Sequence, residues 1–115
     1  MTSDILKFKK FRFNHGINLT VRRGIKQYDG FIRLVDTTTK RKMLNIPVID
    51  VKYKRFSDIT NDDIKVEHDP VCRTTNGLLK TMKKFYPTFD ELEVCTLVYF
   101  EVLIYPEELE DGLDE

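Results

Sequence analysis

Val94-Cys95-Thr96-Leu97-Val98-Tyr99-Phe100-Glu101-Val102-Leu103-Ile104 is a nearly unbroken apolar run, rich in β-branched and aromatic side chains. A strand that is apolar on both faces is covered on both faces, so this segment reads as the central and most protected strand of a sheet. The rest of the chain must then supply its neighbours and its covering layers.

Immediately upstream, Thr74 to Pro87 places apolar residues at 78, 79, 82, 85 and 86, the spacing of one helix face. Thr75 or Asn76 can cap the start of this helix. Lys83 and Lys84 complement its dipole before Pro87 stops it. A second, shorter helical turn is expected over Thr60 to Val66, with Thr60 as its cap. Farther back, Met43 to Phe56 alternates: Ile49, Val51 and Tyr53 share one face, expected in the core, and Asp50, Lys52 and Lys54 share the other, expected wet and basic. Phe31 to Val35 is a short strand bounded by Gly30 and by the polar run Thr37 to Lys40, which makes it the hairpin partner of that long strand. Leu19 to Arg22 is a further strand, followed by a loop from Gly24 to Gly30 that carries Lys26 and Tyr28. Five or six strands in so short a chain leave unpaired edges unless the sheet curls. The expected fold is therefore α+β, a small mixed, mainly antiparallel β-barrel with one or two helices inserted before the last strand. Residues 1–105 form a single domain, and the acidic tail 106–115 is expected to be disordered.

The 115 residues are 41% hydrophobic and 33% charged, with no stretch long enough to cross a membrane as a helix and no secretory signal, so a cytoplasmic location is expected. Two cysteines, Cys72 and Cys95, and two histidines, His15 and His68, form no metal-binding or disulfide pattern, and no cofactor motif is present. The charges are sorted along the chain. Residues 1–56 carry 14 Lys/Arg against 4 Asp/Glu, a net +10, and residues 57–115 carry 5 against 15, a net −10. A positive surface is the usual footprint of a polyanion partner, so RNA comes first and single-stranded DNA second. The competing arrangement has the two halves neutralising each other across one domain.

Three stretches, in order, resemble the ASCH domain of the PUA-like superfamily: Gly16-Ile17-Asn18-Leu19-Thr20-Val21-Arg22, then Val51 through Glu67, then Leu78 to Tyr86 with the strand ending Val98-Tyr99-Phe100-Glu101-Val102. Within that family the chain is similar to the small bacterial acetylcytidine amidohydrolases, which use a Lys, a Thr and a Glu in a cleft. The resemblance assigns the Thr to Thr20 and the Glu to Glu67, while the Lys position falls on Ile17, which has no acid–base or nucleophilic chemistry. Lys26 or Lys65 replaces it only if the fold brings an amine to the same point.

Several residue groups are candidates for ligand contact. Thr20 and Arg22 on one strand suit a base or a phosphate. Arg22, Arg23 and Lys26 beside Tyr28 make a phosphate-gripping edge with a stacking platform, or else a solvated turn. Lys52, Lys54 and Arg55 extend that edge, or protect a strand edge. Glu67 and His68 are a possible acid–base pair, although neighbours on extended backbone point opposite ways. Phe8, Phe11 and Phe13 read as core packing, or else, with the interleaved Lys7, Lys9, Lys10 and Arg12, as a basic, aromatic nucleic-acid surface. The charge split and the resemblance together imply an ASCH/PUA-like module that binds RNA or a modified nucleoside in a basic cleft. The alternatives are an amidohydrolase of acetylcytidine or related RNA hydrolase, with Thr20 and Glu67 catalytic, and a protein-interaction factor whose acidic tail imitates nucleic acid.

Overall fold

The Val94–Val102 strand has a neighbour on each edge and a core on each face. In the computed structural model, which describes residues 2–103, it is β5; it follows β1 (Thr2–Phe8), β2 (Gly16–Arg23), β3 (Gln27–Asp36), β4 (Lys42–Arg55) and the helix α1 (Thr75–Phe85). The strands lie in the order β1-β3-β4-β5-β2. All pairs are antiparallel except β1 with β3, which is parallel. The chain is thus a small α+β protein whose five described strands form a curled, mixed half-barrel. The acidic tail at 106–115 and Ile104 lie outside the described residues. No helix among the described residues is long and apolar enough to cross a membrane.

Strand alternation divides β5 between two cores. Cys95 and Leu97 join Leu19 and Val21 of β2 under α1, against Leu78, Met82 and Phe89. Val98, Phe100 and Val102 face the inside of the curl, where they meet Leu6, Phe8, Ile32, Leu34 and Met43. Each such side chain, once buried, contributes about 1.5–3 kcal/mol. Cys72 and Cys95 are both buried free thiols.

β4 is long enough to serve both halves of the sheet. It pairs with β3 up to Pro47 and with β5 from Val48 onward, with a register shift between Val48 and Asp50. The bulge re-aims the side chains. Ile49 and Tyr53, expected in the core from their alternation, are 51% and 46% exposed, and the core positions of this strand are instead Met43 and Ile46. A one-residue insertion inverts the facing of everything beyond it, and alternation alone does not reveal where the insertion falls.

Two other expectations change. Thr60 to Val66 forms turns rather than a helix, closed by a reciprocal exchange in which the Thr60 N–H donates to Asp63 and the Asp63 N–H donates to the Thr60 hydroxyl. The helix cap is Thr74, one residue before the expected positions, and its hydroxyl accepts from the Gly77 N–H at 3.1 Å. Gly77 is required there, because a Cβ would collide with the Val71 carbonyl of the preceding 3₁₀ turn, Pro70–Arg73. Thr74→Ala is expected to cost about 1 kcal/mol, read as a fall in Tm of roughly 5 °C; an unchanged Tm would show that the cap is dispensable.

The Phe8 to Phe13 stretch does more than fill space. Its start completes β1, which lies parallel to β3 at one end of the strand order, while β2 lies at the other. The outer edge of β2 is covered in part by residues 66–68: the Leu19 N–H donates to Val66 O and the His68 N–H to Leu19 O, both at 3.0 Å. The two end strands do not hydrogen-bond to each other, which leaves a seam in the half-barrel.

Candidate functional site

The seam holds a cavity of about 710 Å³. β1 contributes Ile5 and Lys7, β2 contributes Arg22, the β2–β3 connection contributes Ile25 and Lys26, the start of β3 contributes Gln27 and Tyr28, and the end of α1 contributes Tyr86. Among the described residues of the lining, three are cations and none is an acid. Lys7, Arg22 and Lys26 make no ion pair among the described residues.

The connection that carries Lys26 is fixed by side chains from the sheet. Gly24 takes a positive φ of 81°, which lets the chain turn out of β2. Thr96, fully buried on β5, donates its hydroxyl to Gly24 O at 2.7 Å and accepts the Lys26 N–H at 2.9 Å. The Tyr53 hydroxyl donates to Lys26 O at 3.0 Å. The backbone of Lys26 is therefore pinned on both sides while its exposed side chain reaches the cavity.

Arg22 is the best organised of the cations. Its Nε–H donates to the Thr20 hydroxyl at 3.1 Å, and its guanidinium lies 4.7 Å from the centroid of the Phe8 ring, a cation–π stack. Burial lowers its pKa from the ordinary guanidinium value, opposed by Tyr28, Glu67 and Tyr86, and a guanidinium stays charged throughout the physiological range. Among the described residues its Nη groups have no hydrogen-bond partner and no enclosed side-chain nitrogen or oxygen lacks one, so the Nη groups are not fully enclosed, and Arg22 lines the cavity.

Behind Arg22 lie Glu67 and His68. Glu67 is 3% exposed. Burial is the main cause raising its pKa to about 8, despite the Asp69 N–H that donates to its Oε1 at 2.8 Å. His68 Nε2 is 3.6 Å from the same oxygen. The turn at 64–69 brings these two neighbours together, whereas extended backbone would have separated them. The His68 ring packs on Phe8 and Phe13, and its Nδ1 is 3.1 Å from Arg12 O. A carbonyl only accepts, so Nδ1 carries the proton and Nε2 offers its lone pair toward Glu67. Burial, chiefly, lowers the His68 pKa to about 4. At neutral pH the pair is a protonated carboxyl facing a neutral imidazole.

The remaining candidates separate from this centre. Arg23 alternates to the opposite face of β2, where it grips Glu93 through Nε at 2.7 Å and Nη2 at 3.1 Å and stacks on Tyr86. Lys52 and Lys54 share that opposite face through their register with Leu97 and Cys95, and both approach Asp63, at 4.0 and 2.7 Å. Arg55 ends β4 away from the seam. Lys65 pairs with Asp62. Thr20 is 4% exposed and, like Glu67, does not line the cavity; both act on it through Arg22. The charge split is thus partly cancelled, since Lys10, Arg23, Lys52 and Lys54 all meet carboxylates from the second half.

The sequence offers Lys7 only as one of four interleaved cations, and assigns no site role to Tyr86 or Arg73. Lys7 and Tyr86 enter the cavity through the parallel placement of β1 and the exit of α1. Arg73 braces the Glu67 segment, donating from Nε to Glu67 O at 2.9 Å and from Nη2 to the Asn14 side chain at 2.8 Å. The i, i+2 pattern Leu6/Phe8 against Lys7/Lys9 is the signal that separates the facing of Lys7 from that of the core residues. No group of residues suited to a metal ion occurs among the described residues. No family model, curated protein or solved structure matches this chain.

Proposed function

We propose that the protein is an ASCH-type, PUA-like module that binds single-stranded RNA, or a modified nucleoside within it, in the seam of the half-barrel. The observation that carries this reading is the cavity lining, where three cations and two tyrosines meet with no acid among the described residues. Lys7 and Lys26 are exposed side chains suited to phosphate, Arg22 offers a preorganised fork, and Tyr28 and Tyr86 offer ring faces for bases. A volume of about 710 Å³ lies within the range of small-ligand sites. Thr20 aims Arg22, and the neutral Glu67 leaves the guanidinium charge uncancelled.

Fluorescence anisotropy with a labelled oligouridylate tests the reading. Three cations on phosphates give a log–log dependence of affinity on salt with a slope of about −2, at about −0.7 per contact. Absence of binding at low salt, or affinity indifferent to salt, would sink it.

A hydrolytic reading draws on one specific observation, the Glu67–His68 pair with its carboxyl titrating at about 8, a poise suited to general acid–base work. Against it, Ile17 alternates away from Thr20 on β2, and no lysine amine hydrogen-bonds to Thr20 or Glu67 among the described residues. Deacetylation of acetylcytidine, followed by chromatography and abolished by Glu67→Gln, would establish it; no turnover by the wild-type protein rejects it.

A further inference from the structure

A second concavity of about 450 Å³ lies beside the first, walled by residues 9–12, by the Asp36–Arg41 turn and by His68 to Pro70. Its two acids are already engaged. Asp36 accepts from the Thr38 N–H at 2.9 Å and from the Thr39 hydroxyl at 2.8 Å, with Arg41 at 3.5 Å. Asp69 accepts from Lys10 at 3.1 Å and from the Val71 N–H at 3.1 Å. Lys10 and Arg41 are thereby occupied by carboxylates. Lys9 and Arg12 are exposed and make no ion pair among the described residues, so they are the cations of this concavity that remain for an outside anion.

The two concavities are joined by chain and by contact. Lys7 lines the first and Lys9, two residues on, lines the second. Lys9 Nζ lies 5.1 Å from the centroid of the Phe85 ring, and Phe85 precedes the Tyr86 that walls the first cavity. Lys7 and Lys26 thus line the first concavity and Lys9 and Arg12 the second, with the short chain from Lys7 to Lys9 leading from one to the other. A single nucleotide occupies one concavity; only a polymer of phosphates spans both.

We infer that the seam cavity and the Lys9–Arg12 concavity form one track for single-stranded RNA, so that the ligand is a polynucleotide several residues long rather than a free nucleoside. The inference rests on the seam reading and adds a second set of phosphate contacts, from Lys9 and Arg12. Neither residue packs in a core, so their replacement leaves the fold intact.

The test compares uridine monophosphate with uridylates of increasing length, on the wild-type protein and on Lys9→Gln/Arg12→Gln. In the wild type, affinity is expected to rise with length until both concavities are filled, leaving an octamer at least about tenfold tighter than the monophosphate. In the double variant the octamer weakens by about tenfold and its salt slope flattens by about 1.4, two contacts at about 0.7 each, while affinity for the monophosphate stays within about twofold. Octamer and monophosphate binding equally well, or an octamer salt slope unaltered in the variant, overturns the track and leaves the seam site standing. Failure of both probes to bind the wild-type protein overturns the track and the seam reading together.

Discussion

Arg22→Gln is expected to weaken binding of a single-stranded RNA probe by about 2 kcal/mol, roughly thirtyfold. Lys7→Gln and Lys26→Gln are each expected to cost roughly 1 kcal/mol or less, because an exposed ammonium on a flexible stem loses more entropy for each contact. Arg22 differs because its geometry is set before the ligand arrives. Thr20 holds Nε at 3.1 Å, the Phe8 ring supports one face of the guanidinium, and the Nη groups alone are left for the ligand. Glutamine is close in length and keeps an amide that can reach the Thr20 hydroxyl, so the change removes the charge and the fork with little loss of packing. Anisotropy titrations on the three variants, with Tm recorded alongside, separate binding from folding. A loss of less than about threefold for Arg22→Gln, or a ranking in which Lys26 outweighs Arg22, would show that the ligand does not enter the seam at this residue.

Why Arg22 and not Arg23 is visible only in three dimensions. The two are adjacent in sequence and equal in composition, and alternation sends one into the half-barrel and the other to Glu93. The same parity carries Lys52 and Lys54 to Asp63. The sorting of charge along the chain was legible, and so were the central strand, the helix and the strand bearing Thr20 and Arg22, because each rests on local periodicity. What cancels with what was not legible, because it depends on register across strands distant in sequence. The bulge after Val48 shows the same limit: alternation over 49–54 is real, but it does not reveal which face the bend turns inward. The parallel pairing of β1 with β3 is also non-local, and through it Lys7 reaches the site.

The protonation of Glu67 gives a second large effect, with a sign that follows from linkage. In the unfolded chain Glu67 titrates at its ordinary 4.5 and His68 at 6.5; in the folded protein they titrate at about 8 and about 4. Between pH 4.5 and 6.5 the unfolded pair binds one proton, on histidine, and the folded pair also binds one, on glutamate. The two contributions cancel, and stability is flat with pH as far as this pair is concerned. Between 6.5 and about 8 the unfolded pair binds none while the folded pair keeps its proton. Raising the pH then favours unfolding, by about 1.4 kcal/mol per unit and about 2 kcal/mol across the window.

The carboxylates held low by their partners, Asp36, Asp63, Asp69 and Glu93, lose their contribution only in more acidic solution. The buried thiols, raised from 9.0 to about 11, act only above the window. Glu67→Gln keeps a group that accepts from the Asp69 N–H and can donate toward His68 Nε2, without a titrating proton. In that variant the fall above pH 6.5 is expected to vanish, and a fall below 6.5 is expected to appear, because the unfolded histidine alone then takes up a proton. Denaturant titrations at a series of pH values check both limbs. A wild-type protein more stable at pH 8 than at 6.5, or a slope above 6.5 that survives Glu67→Gln, would place the proton elsewhere. The same titration reaches the ligand: once Glu67 ionises it opposes the Arg22 charge from behind, so affinity for RNA is expected to fall as the pH passes about 8 in the wild type and to stay level in the glutamine variant.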